Sequence, residues 1–177
     1  MADPRTGGAL IGAVGASVFV HANRAHLSAA WSLGAVVVWA AALVAFAWAV
    51  YVMPRRFTRP RPVPRTAGLV YLGSVAGMIV LIQVGRIVLE ARGAPAVIPG
   101  VIVLAVGLHF LPFARAFHTP MFRRLGLAMA ILGVLAVVVG LIWTATATAA
   151  IAVLTGIVML AVIIENALRD RPRRAPW

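Results

Sequence analysis

Cysteine and lysine are absent from this 177-residue chain, and only two Asp and two Glu are present. Without cysteine there can be no disulfide framework, thiolate metal site or Cys nucleophile. With four carboxylates in all, paired-carboxylate acid–base chemistry has almost no material. No GxSxG, HExxH, Walker A or dinucleotide fingerprint occurs. His21, His26 and Glu90 lack metal-motif spacing. The expectation is therefore no enzyme, no cofactor and no metal.

Charge is scarce too. Charged residues make up 11% of the chain against 63% hydrophobic ones, where a soluble domain is about a quarter charged. The mean hydropathy is +1.01. All sixteen basic residues are Arg, giving a net charge of +12. In a soluble protein that charge would suggest nucleic acid. Here the arginines separate long apolar runs, so the expected partner is the lipid bilayer and nucleic acid is excluded.

A spanning helix needs about 20 predominantly apolar residues. Five runs qualify: Ala29–Met53, Ala67–Leu89, Ala94–Ala114, Leu125–Trp143 and Ala145–Ile164. A sixth, Gly7–Val20, reaches span length only by continuing through HANRAH (residues 21–26) to about residue 27. That run fits two readings. As a signal peptide it has Arg5, an apolar Ala9–Val20 stretch and a small-residue site at Val20-His21-Ala22. Its glycines and low leucine density favour a retained helix. The expected fold is all-α, a single integral membrane domain over residues 1–177. Six spans pair through short loops as three hairpins, with a basic tail at residues 169–177.

With six spans, thirteen arginines fall on one side and three (Arg24, Arg86, Arg92) on the other. The positive-inside rule then puts both termini in the cytoplasm and the protein in the cell inner membrane as a multi-pass protein. Pro54–Thr66, PRRFTRPRPVPRT, is too proline-rich for a helix and reads as an extended surface linker. Its Arg55, Arg56, Arg59, Arg61 and Arg65 could hold anionic headgroups at about 1 kcal/mol each. Positive-inside bias alone also accounts for them.

Small residues mark contact faces in lipid, where apolar burial gives little drive between helices. Gly126, Gly133 and Gly140 recur every seven residues, and Gly8/Gly12 and Gly73/Gly77 are GxxxG pairs. Such faces could join spans within one chain, a second copy, or a partner membrane subunit. Gly8, Gly68 and Gly126 open similar text 60 and 58 residues apart, which fits a three-fold hairpin repeat. Similar composition alone would give the same likeness. The stretch GLAMAILGVLAVVVGLIWTATATAAIAVLTGIVMLAVIIENALR, Gly126 to Arg169, resembles one hairpin of the HdeD-like small membrane proteins. Those are bacterial six-helix proteins with three hairpins, associated with acid resistance. The resemblance implies that architecture and a stress-associated role, and carries over no functional residue. HANRAH and the Pro-rich linker depart from it.

Ionisable groups at membrane depth are costly and point to function. Gln83, Arg86 and Glu90 share one face near the outer end of the third span. If the first span continues helically, Ser17, His21, Arg24 and Ser28 form a stripe at similar depth. Together they could line an electropositive outer pocket for an anion or headgroup. The plainer reading is helix-end chemistry, with Arg86 paired to Glu90 and snorkelling outward. His109, in GLHFLPFARAF before Pro112, suits either a proton path or a hydrogen bond to a neighbouring helix. Glu165 and Arg169 form a second i,i+4 pair at the cytoplasmic interface. Two function classes follow: a non-enzymatic structural, accessory or stress-associated protein, or a small transporter or channel for protons or small anions.

Overall fold

A computed structural model describes residues 4–53 and 66–169, with side chains from Gly8 onward. Among the described residues there are six long helices: α1 (Pro4–Asn23), α2 (Ala29–Ala47), α3 (Ala67–Ala91), α4 (Ile98–Ala116), α5 (Pro120–Ile142) and α6 (Ala145–Arg169). No strand occurs among the described residues. The second span continues past α2 as a π-helical turn, Trp48–Val52. Single 3₁₀ turns, Arg24–His26 and Pro95–Val97, lead into α2 and α4. Five helices are long and apolar enough to cross a membrane; α1 falls outside that set. At 20 residues α1 is about 30 Å long, near the hydrocarbon thickness, but polar residues occupy both of its ends.

The bundle's outer surface is apolar. Ile11, Val44, Leu69, Ile87, Ile131 and Ile142 are all more than half exposed. A water-soluble monomer seldom carries so much contiguous apolar surface, whereas a bilayer solvates it. The residues that cluster inside combine Leu125, Met129, Leu160 and Val103, all fully buried, with alanines such as Ala16, Ala136 and Ala152.

Local chemistry sets the helix ends. The α1 helix stops at Asn23, whose side-chain amide donates to the Phe19 carbonyl at 2.8 Å, one turn back. The chain then turns through Arg24–His26, so Ser28 sits at the N-cap of α2 and off the α1 stripe. The expected continuous helix through HANRAH is corrected accordingly. After α3, Gly93 adopts φ +68°, and the Ala94 N–H reaches the Leu89 carbonyl at 2.8 Å. After α4, His118 takes the same left-handed conformation at φ 51°, with the Thr119 N–H on the Ala114 carbonyl at 3.1 Å. Both are the six-to-one closures of a Schellman turn, one using glycine and one histidine. Pro120 opens α5 at the first helical position, where its missing N–H costs nothing. The helix therefore begins before Arg123 and Arg124 rather than after them. Pro112 lies inside α4, which continues through it.

Glycine decides which helices meet. Side chains added at Gly107 and Gly133 would strike the Ala130 and Leu104 backbones respectively. One added at Gly126 would sit 2.8 Å from the Gly107 carbonyl oxygen, and one at Gly100 3.0 Å from the Val137 nitrogen. Thus α4 and α5 pack antiparallel, backbone on backbone, along glycines seven apart in each helix. This is the most extensive helix pair of the bundle. The α6 helix packs against α5, α1, α2 and α4 in turn. At Gly156 an added Cβ would lie 2.5 Å from the Ala16 carbonyl oxygen of α1, and Gly12 faces Ile163. Of the three expected hairpins, α3 with α4 and α5 with α6 pack extensively. The α1 helix lies chiefly against α6 and only lightly against α2. Half of the most apolar stretch of α6 (50%) is buried, against 6% for α3, which makes α6 the hub and α3 the peripheral helix.

Two glycines separate packing from propensity. Gly133→Ala should cost about 1–3 kcal/mol, because a rigid backbone opposes the new methyl. Gly34→Ala meets nothing and should be neutral or stabilising by up to about 1 kcal/mol. Denaturation in mixed micelles measures both, and equal effects would refute the backbone-contact account.

Candidate functional site

Three polar assemblies emerge. The first joins α1 to α2 at their connected ends. Trp39 Nε1 donates to Ser17 Oγ at 3.0 Å, and Ser17 in turn donates to the Ala13 carbonyl at 2.8 Å. The His21 ring meets Trp39 edge-on, with centroids 4.5 Å apart. Arg24 Nη1 donates to Ser32 Oγ at 3.3 Å, while its Nε is buried without a partner. A groove of about 400 Å³ runs beside them, lined by Leu10, Val14, Val18, Leu43 and Phe46, with Ser17 and His21 supplying its polar edge. The Ser17 proton is directed at a backbone carbonyl and not at His21. The pair is therefore built to fasten two helices and has no nucleophile–base geometry. Sequence spacing exposed Ser17 and His21 on one face; Trp39, 22 residues from Ser17, carried no signal beyond being aromatic.

The second assembly lies on α3. Arg86 Nε donates to Glu90 Oε1 at 2.8 Å, the expected i,i+4 pair, with both side chains about half exposed. Gln83 is exposed on the same helix. The packing partner of α3 is α4, whereas His21 and Arg24 sit with α2 and α6. The two halves of the sequence-derived outer pocket thus belong to different helix neighbourhoods. Each has its own neighbour: His21 meets Trp39, Arg24 Nη1 reaches Ser32, and Arg86 pairs with Glu90.

His109 belongs to an aromatic cluster on the C-terminal half of α4. Its ring lies 5.4 Å from Phe110, 6.0 Å from Phe113 and 6.1 Å from Tyr71. Phe113 and Phe110 continue the cluster to Phe122 of α5 at 4.8 and 5.6 Å. The Ser74 backbone faces the imidazole, yet Nδ1 meets no partner at hydrogen-bonding geometry. His109 therefore ties α3 to α4 through Tyr71.

The third assembly is an ion-pair cluster where α5 begins and α6 ends. Glu165 pairs with Arg169 on its own helix and with Arg124 Nη1 across to α5 at 3.9 Å. The i,i+4 half was legible from spacing. Arg124, 41 residues from Glu165, was not. Arg55, Arg56, Arg59, Arg61 and Arg65, the expected headgroup contacts, lie outside the described residues, as does the tail beyond Arg169.

Among the described residues the buried polar side chains are Asn23, Thr148 and Thr155, and all three donate to backbone carbonyls. Thr148 Oγ1 crosses from α6 to the Ala136 carbonyl of α5 at 3.0 Å, beside Gly140. Asn23 and Thr155 return to carbonyls of their own helices, Thr148 alone crosses between two, and the charged groups sit near helix ends.

No family model, curated protein or solved structure matches the chain. The likeness of Gly126–Arg169 to an HdeD-like hairpin therefore rests on those residues themselves.

Buried and exposed polar contacts should differ in weight. Thr148→Val, which removes an interhelical hydrogen bond at near-constant volume, should cost about 1 kcal/mol. Glu165→Gln, in a half-exposed pair, should cost less than about 0.5 kcal/mol. Micellar denaturation of the two variants checks the order, and a larger loss from Glu165→Gln would overturn it.

Proposed function

We propose that this is a small multi-pass protein of the cell inner membrane, both termini cytoplasmic, with a non-enzymatic structural, accessory or stress-associated role. One observation carries the reading. Backbone contact at Gly107, Gly126, Gly133 and Gly156, filled in by Leu125, Met129 and Leu160, closes the bundle interior. A transport path needs polar groups that succeed one another through the bilayer. The sequence-derived path residues are instead divided between α1, α3 and α4, each with its own neighbours. The inside-positive distribution of arginine supports the orientation, and Arg55, Arg56, Arg59, Arg61 and Arg65 supply the charge for acidic cytoplasmic headgroups. The HdeD-like rhythm of the last third is the support for a stress-associated role.

A second reading, a small transporter or channel for protons or anions, draws on the unpartnered Nδ1 of His109. Purified protein in liposomes distinguishes the two. The packed interior should give proton and chloride fluxes equal to those of empty vesicles. A protein-dependent flux lost in His109→Phe or Arg86→Leu would replace the first reading with the second.

A further inference from the structure

Helix α3 has two faces, and the bundle uses one. Gly85 and Leu89 face α4, where they meet Val101 and Val97. On the opposite side lie Gly73, Ala76, Val80, Gln83, Ile87 and Glu90, each of them exposed. Their spacing alternates three and four residues, the repeat of a left-handed helix pair. Two residues separate Gly85 from Ile87 and Gln83, which places the two faces about 200° apart on the helix.

Glycine use sharpens the contrast. At Gly85, Gly107, Gly126, Gly133 and Gly156, a side chain would meet a neighbouring helix. At Gly73 and Gly77 it would meet nothing within 4 Å. The GxxxG pair of α3 is left outside the internal packing.

Gln83 gives the open face its chemistry. The 25-residue α3 is about 37 Å long, and Gln83 lies four residues, about 6 Å, past its midpoint. A span centred in the bilayer therefore holds this amide well inside the hydrocarbon. There an unsatisfied polar group costs several kcal/mol. Among the described residues Gln83 has no hydrogen-bond partner. Its complement must both donate and accept in the membrane, and a second Gln83 does both.

We infer that α3 is a dimerisation helix: a second copy of this chain docks in parallel on the Gly73–Ala76–Val80–Gln83–Ile87–Glu90 face. Two copies inserted with the same orientation meet parallel, and a two-fold axis sets each residue of the seam opposite its own copy. Gln83 then exchanges reciprocal amide hydrogen bonds across the axis. Gly73 allows close approach at one end. At the other, each Glu90 brings its own Arg86 at 2.8 Å, so two neutralised pairs meet rather than two bare carboxylates.

The absence of cysteine makes the test clean. Val80→Cys and Ile87→Cys lie on the seam, and Val88→Cys, 45% exposed, lies off it toward the other side of the helix. Oxidation in native membranes should give disulfide-linked dimers from the first two at least about tenfold above Val88→Cys, given the close Cα approach a disulfide requires. Adding Gln83→Leu to Val80→Cys should cut that yield about fivefold, and Gln83→Asn should retain most of it. Equal yields from all three cysteines, or no dimer from membrane-inserted Val80→Cys and Ile87→Cys, would overturn the inference. So would an adduct with a mass other than twice the chain, which would assign the face to a different protein.

Discussion

A bilayer offers apolar side chains an environment as apolar as a protein core, so helices inside it cohere through close contact and directed polar bonds. In this chain that contact begins where one backbone reaches another. Gly107 and Gly133 admit no side chain at all, and Gly126 sits against the Gly107 carbonyl. The spacing of seven in both α4 and α5 repeats the approach along an antiparallel pair, and α6 adds a second such contact at Gly156 against Ala16. The larger buried residues, Leu125, Met129 and Leu160, fill the space those approaches define. Thr148, reaching over Gly140 to the Ala136 carbonyl, adds a polar bond only because the glycine leaves it room.

The polar inventory makes sense against that constraint. A chain with four carboxylates keeps two of them, Glu90 and Glu165, at helix ends where arginine neutralises them. Its buried hydroxyls and Asn23 return their protons to backbone carbonyls. Ser17, Trp39 and His21 fasten α1 to α2 where glycine-mediated contact is light. Thr148, Trp39 and Arg124 use hydrogen bonding and charge to link one helix to another, and the exposed amide of Gln83 extends that use to a second copy.

Much of the fold was legible because hydropathy has a length scale: runs of about 20 apolar residues announce spans wherever they occur. The glycine period of α5 and the Arg86–Glu90 and Glu165–Arg169 pairs were legible because helical neighbours lie three, four and seven apart. Contacts between distant segments were not. Arg124 with Glu165 and Trp39 with Ser17 depend on which helices adjoin, and an apolar helix of this composition has little amphipathic bias to specify a neighbour. The end of α1 was misplaced for a related reason. Periodicity continued through Ser28, while the side-chain bond of Asn23 to Phe19 and the turn at Arg24–His26 stop the helix earlier.

The pairing of α1 with α6 depends most directly on glycine-mediated approach, since connectivity alone would place α1 against α2. Cysteines substituted for Gly12 and Ile163 test it in a chain otherwise free of thiols, since a side chain added at Gly12 would meet that of Ile163. Oxidation in membranes should close an intramolecular disulfide within the monomer. Failure of that pair to link, together with efficient linking of a Gly12 cysteine to one on α2 at Leu43, would contradict the account and restore the sequential hairpin.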